Sequence, residues 1–169
     1  MSETPPPSEH TRDSSRWLLR HAVATVAYRG SKAVRGSTER FAAFRAGATT
    51  RTPAEILAHI GDLFDWALWL VKGRYTWRDS TPLQWDLEID RFFQTLASFD
   101  GYLASDAPLG YPAEKILQGP VADALTHIGQ IAMLRRLAGE PLRGESYFKA
   151  DVMVGRVGAS QAPPTREFD

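Results

Sequence analysis

Between residues 85 and 103, Trp85, Ile89, Phe92, Leu96, Phe99 and Leu103 follow one another in alternating steps of four and three. That spacing lays six apolar side chains along one stripe of an α-helix, and such a stripe is stable only where another helical face covers it. The chain is thereby constrained towards helices packed on helices. Thr81 and Pro82 read as the start of this helix, since the first helical N–H has no intrahelical partner and proline gives nothing up there.

Three further helices follow from the same kind of signal. Thr52 precedes Pro53, and Glu55 stands three residues after Thr52 as in a capping box, so a helix is expected from Pro53 to a stop at Gly73. Its apolar stripe is Ile56, Ile60, Leu63, Ala67 and Leu70, with His59 on the flank that faces inward. Ser14 and Ser15 can cap an earlier helix carrying Trp17, His21, Ala24 and Tyr28, after which Gly30 and Gly36 open a connection holding a short amphipathic piece around Phe41 and Phe44. Pro120 reads as the start of a last helix, stopped by Gly139 and Pro141, and apolar on nearly every side from Val121 to Leu137, which predicts the most buried of the four. The expected class is all-α, a four-helix bundle over 14–141. A loose Pro-rich arm over 1–13 precedes it, and an irregular extension over 142–169 is expected to pack back through Tyr147, Phe148, Val152 and Val154.

Composition narrows the function classes. With 169 residues, 43% apolar and five Trp, the chain is sized for one domain with an aromatic-rich core. Twenty Lys plus Arg balance twenty Asp plus Glu, which leaves little long-range pull on nucleic acid or an anionic membrane. No stretch approaches the roughly 20 apolar residues of a membrane span, and no apolar leader is present, so a soluble, cytoplasmic protein is expected. The absence of Cys removes thiolates, leaving His and carboxylates as the only strong metal donors.

Asp123 and His127 are four apart and so share one face of the last helix, with Gln130 three residues further along. A carboxylate and an imidazole placed inside a bundle need partners, and a metal ion satisfies both at once, with His59 as a third donor. Each residue also has an ordinary explanation. Asp123 suits the first turn of a helix, and a core histidine can be satisfied by a hydroxyl or a carbonyl.

The runs RTPAEILAHIGDLFDWALWL around His59 and DALTHIGQIAMLRRLAGEP around His127 resemble the two signature helices of the DinB/YfiT-like superfamily. That family shows a His on its second helix and His-x-x-x-His-x-Gly-Gln on its fourth, then Leu-Arg-Arg and a Gly-x-Pro stop. His59, His127, Gly129, Gln130, Leu134, Arg135, Arg136, Gly139 and Pro141 match, while Asp123 stands where the pattern has its first His. The resemblance implies a divalent metal (Zn, Ni, Fe or Mn) held by His59, Asp123 and His127, with the carboxylate favouring the harder ions. It also implies a homodimer with a small-molecule substrate, and a low-molecular-weight thiol as one option for the cofactor. The function so expected is a metal-dependent hydrolase or thiol-dependent transferase. The alternative is a non-catalytic metal- or small-ligand-binding bundle of a stress response, or a dimeric interaction module. No catalytic acid or base is identifiable, with Glu145 and Tyr147 as candidates. His21, Trp66 and Trp69 are possible cavity walls, and at least one of Asp62 and Asp65 is expected on a solvated face.

Overall fold

The computed structural model describes residues 9–169, with side chains from residue 14 onward, so most of the expected N-terminal arm lies outside the described residues. The fold is mostly helical. Four long helices, α1 (Glu9–Val34), α3 (Pro53–Val71), α4 (Trp85–Ala104) and α6 (Ala122–Leu137), pack around one core, and two single turns, α2 (Glu39–Ala42) and α5 (Ala113–Ile116), lie in their connections. Each long helix packs chiefly on two others, in the cyclic order α1, α4, α3, α6. The stripe of α4 is the centre of this core: Trp85, Phe92, Leu96, Phe99 and Leu103 are all within 1% of complete burial.

α3 forms where its sequence signals place it. The Thr52 hydroxyl accepts from the Glu55 N–H at 3.2 Å, and the Glu55 carboxylate accepts from the Thr52 N–H at 2.7 Å, which closes the capping box. At the other end Gly73 takes φ +78°, the left-handed conformation that terminates helices.

The other three boundaries depart from the sequence reading, each for a tertiary reason. α1 begins at Glu9, before Ser14, and runs through Gly30 to Val34, because Gly30 is a packing residue: a Cβ there would lie 2.5 Å from Cζ of Phe92. α4 starts at Trp85 instead of Pro82. Two carboxylates meet the donors at this end: Glu88 of α4's own first turn accepts from the Leu83 N–H at 2.8 Å, and Glu39 of α2 accepts from the Trp85 N–H at 3.0 Å. Pro120 does not begin a helix, because α5 continues through a π-helical turn, Leu117–Val121, directly into α6. Proline cannot donate to the backbone four residues earlier, and the wider turn accommodates it.

α6 is also not the most buried helix. Five of its sixteen residues are buried, against twelve of nineteen in α3, and Met133 and Leu137 face solvent. The apolar residues of α6 are spread over more of its circumference than its neighbours cover.

Ion pairs tie the helices laterally. Arg20 of α1 forks onto both oxygens of Asp100 of α4 at 2.9 and 3.0 Å. Asp62 of α3 is buried and accepts from the N–H and hydroxyl of Ser80 at 2.9 and 2.6 Å and from Arg91 of α4 at 2.5 Å. Asp62 therefore fixes the 72–84 connection as well as α4. Asp65, one turn on, is the solvated member of the pair.

Beyond α6 the chain folds back through Leu142, Val152 and Val157, while Phe148 stays 98% exposed. Two short strands, β1 (Gly144–Glu145) and β2 (Glu167–Phe168), pair antiparallel with Gly144 opposite Phe168. The wholly buried side chain of Glu145 anchors this segment, accepting from the Tyr28 hydroxyl at 2.5 Å and from Lys32 at 2.7 Å. Burial first, and then the Glu145 carboxylate, hold the Tyr28 phenol well above its usual range, so it remains a donor. No helix among the described residues is long and apolar enough to cross a membrane.

Candidate metal centre

His59 lies in the first half of α3, and Asp123 and His127 lie one turn apart near the start of α6, the helix packed against it. The π-helical turn just before Asp123 leads the chain into α6 at this point. One donor atom from each of His59, Asp123 and His127 falls within 4.8 Å of the other two, so the group could hold a metal ion. Nε2 of His59 is 3.7 Å from Oδ2 of Asp123, and Nε2 of His127 is 3.4 Å from Oδ1. Both separations exceed the 2.7–3.2 Å of an ordinary N–H···O bond, so neither imidazole is satisfied by the carboxylate it faces.

The other nitrogen of His127 decides what Nε2 can be. Nδ1 is 2.8 Å from Oε1 of Gln130, and an amide oxygen only accepts, so Nδ1 carries the proton in this arrangement. In the neutral ring Nε2 then bears its lone pair towards the Asp123 carboxylate. Two acceptors face each other, and a cation between them is the natural complement.

His59 is held neutral by its surroundings. Burial is the largest cause pushing its pKa below the usual range, with His127 and Arg51 acting the same way and Asp123 and Asp62 partly opposing them. A neutral imidazole is the form that binds metal. The ring meets His127 edge-on at 4.7 Å and Trp77 edge-on at 5.5 Å. Trp77 in turn meets Trp66 at 5.7 Å, so an aromatic wall covers His59 on one side. The Asp123 side chain keeps 46% of its exposure and opens onto a surface hollow of about 400 Å³ lined by the same Trp66 together with Gln118, Gly119, Ala122 and Thr126. The indole N–H of Trp66 is buried without an acceptor.

The residues singled out in the sequence are thus divided. His59, Asp123 and His127 come together, with Gln130 beside them, and Trp66 lines the hollow. Trp69 instead takes Lys72 and Arg74 against its ring, at 5.6 and 5.4 Å. His21 faces a different cleft, Glu145 is committed to Tyr28 and Lys32, and Tyr147 packs on Arg29 and Tyr28. Arg135 is buried, donating to the carbonyls of Ala33 and Arg35. Trp77 was not foreseen: it lies in the irregular 72–84 connection, where no periodicity marks which side chain turns inward. Comparison with protein-family models, with curated proteins and with solved structures returns no match.

Proposed function

We propose that this chain is a divalent-metal-dependent enzyme, a hydrolase or thiol-dependent transferase, built as a four-helix bundle of the DinB/YfiT-like type. The observation that carries the reading is the lone pair of His127 Nε2, fixed by Gln130 and facing the Asp123 carboxylate beside a neutral His59. Two imidazoles and one carboxylate suit Zn²⁺ and Ni²⁺, and the oxygen donor extends the range to Fe²⁺ and Mn²⁺. His59, Asp123 and His127 would hold such a metal with coordination positions left free, and the chemistry it would supply there is polarisation of a substrate oxygen or acidification of water or a thiol.

The protein's own part is to orient and exclude. Gln130 sets the His127 ring, Trp77 and Trp66 keep solvent from one side of His59, and the hollow beside Asp123 has the 300–1,000 Å³ size of a small-molecule site. Pairing of two chains as a homodimer belongs to the same resemblance, and a gel-filtration mass of a single chain would count against it.

A second reading, a bundle that binds metal or a small ligand without turnover, is favoured by one feature: among the described residues Asp123 is the only titratable side chain lining the hollow. Elemental analysis of protein purified without an affinity tag tests the metal centre. Stoichiometric metal that is lost in Asp123→Ala and His127→Ala is expected, and metal-free wild-type protein that takes up none of the four ions would sink it. Loading with Co²⁺ then separates the two readings. A thiolate-to-cobalt charge-transfer band on adding 2-mercaptoethanol supports an open, reactive position, and an unchanged spectrum supports the closed binding bundle.

A further inference from the structure

A cleft of about 170 Å³ lies between α1 and the segment after β1, sharing no residue with the His59 group. Its α1 wall is His21, Thr25, Tyr28 and Arg29, successive turns of one helix face; its other wall includes Tyr147, Phe148 and Val152. Arg29 is the unusual member. Its guanidinium lies 4.1 Å over the Tyr147 ring, and its Nε–H is buried with no acceptor. Among the described residues the other buried and half-buried arginines are all engaged: Arg16 on three carbonyls, Arg20 on Asp100, Arg91 on Asp62, Asp65 and Glu88, Arg135 on Ala33, Arg35 and Glu140, and Arg156 on Asp151. Among the described residues Arg29 has neither a carboxylate nor a carbonyl.

Among the described residues no carboxylate lines the cleft to neutralise that charge. The nearest acid in the chain of contacts, Glu145, has one oxygen taken by Tyr28 and the other by Lys32. The Tyr147 ring attracts the guanidinium charge but accepts no in-plane hydrogen bond, so an acceptor for the guanidinium N–H groups has still to come from elsewhere. Besides Arg29 the lining carries the His21 imidazole and the Thr25 hydroxyl, the latter donating to the His21 carbonyl at 2.9 Å, while Tyr28, Tyr147, Ala150, Val152 and Phe148, whose ring is 98% exposed, supply its aromatic and aliphatic part.

We propose that this cleft binds a small organic carboxylate, its carboxylate received by the edge of Arg29 and its apolar body covered by Tyr147, Val152 and Phe148. A planar carboxylate matches the guanidinium fork, and one guanidinium with no second Arg or Lys among the described lining residues suits a monoanion better than a phosphate dianion. The volume is below that of drug-sized sites, which confines the ligand to a small acid. The site does not depend on the metal centre.

The test is titration of the full-length protein with benzoate, with benzamide and inorganic phosphate as comparison probes, following the Nε–H resonance of Arg29 by NMR. Benzoate is expected to shift that resonance saturably, with benzamide and phosphate at least tenfold weaker. Arg29→Gln should weaken benzoate at least tenfold at unchanged circular dichroism, and Arg29→Lys, which keeps the charge without the fork, should recover only part. Asp123→Ala should bind benzoate as the wild type does. Equal binding of benzamide, equal binding of phosphate, no saturable shift, or loss of the response in Asp123→Ala would each overturn the proposal.

Discussion

Gln130 stands one turn along α6 from His127 and holds Nδ1 of that ring at 2.8 Å, which turns Nε2 towards Asp123. The amide therefore belongs to the candidate metal centre although it offers no donor atom to an ion. Residues that orient a ligating imidazole are worth about 10- to 100-fold in metal affinity. Gln130→Ala is expected to weaken divalent-metal binding by about that factor, with thermal unfolding of the metal-free protein unchanged because the side chain lies on the solvent side of α6. A competition titration with a chromophoric chelator reads the affinity. Wild-type affinity in the variant would show that His127 is oriented by its packing alone.

Gly30→Ala tests whether α1 and α4 approach as closely as a missing side chain allows. Alanine gains about 1 kcal/mol over glycine inside a helix. Against this, its Cβ would stand 2.5 and 2.8 Å from two ring carbons of Phe92, which is itself wholly buried and has nowhere to swing. Overpacking of a filled core costs about 1–3 kcal/mol, so net destabilisation is expected. Urea denaturation measures it, and Phe92→Leu in the same chain should make the alanine better tolerated than it is alone. A stabilised single variant would mean that the two helices part easily.

What could be read in the sequence, and what could not, divides along local and non-local physics. The capping box of Thr52 and Glu55 is complete within four residues, and the stripe of α4 states its own burial, so both were legible. The pairing of Asp123 with His127 follows from helical spacing, and the arrival of His59 follows once α3 is placed beside α6. Gly30 looks like a helix breaker because its reason, Phe92, lies far along the chain. The start of α4 depends on Glu39, brought close only by the fold. The passage of the helix through Pro120 needs a π-helical turn, and nothing in a periodicity argument distinguishes that from a new start. Asp62 is similar: a buried carboxylate on α3 is intelligible only when Arg91 and Ser80 are seen around it.

The same capping box makes a prediction about pH. The backbone N–H of Thr52 is the main cause holding the Glu55 carboxyl below its usual range, with Arg45 assisting and slight burial opposing. A carboxyl depressed in the folded state binds fewer protons there than in the unfolded chain. Its contribution is therefore complete above the ordinary carboxylate range and fades as pH falls through the lower, folded value. Thr52→Ala, which removes the hydroxyl acceptor, should cost about 1 kcal/mol at neutral pH. Glu55→Gln should lose stability at neutral pH and show a shallower decline on acidification than the wild type. Parallel acid profiles for the two chains, measured by urea denaturation at successive pH values, would dismiss Glu55 as a contributor.

Arg91 carries the largest expected single effect. Its guanidinium meets Asp62 at 2.5 Å, Asp65 at 3.0 Å and Glu88 at 3.3 Å, and the side chains of Asp62 and Glu88 keep 4% and 0% of their exposure. Arg91→Met preserves much of the volume but leaves two buried carboxylates without their cation. Breaking a buried pair from one side costs about 3–5 kcal/mol, since the remaining charge has neither water nor partner. Asp62 would retain the two Ser80 donors and Glu88 the Leu83 N–H, so the loss should fall at the lower end of that range. Adding Asp62→Asn to Arg91→Met removes one of the stranded charges and should recover part of the stability, which a double-mutant cycle in urea would resolve. Because Asp62 also fixes Ser80, and through it the connection that carries Trp77, the Arg91→Met chain should in addition quench or shift the tryptophan fluorescence of the wall beside His59 before global unfolding. Coincident fluorescence and circular-dichroism transitions, with no early change in the former, would show that the aromatic wall is held independently of Arg91.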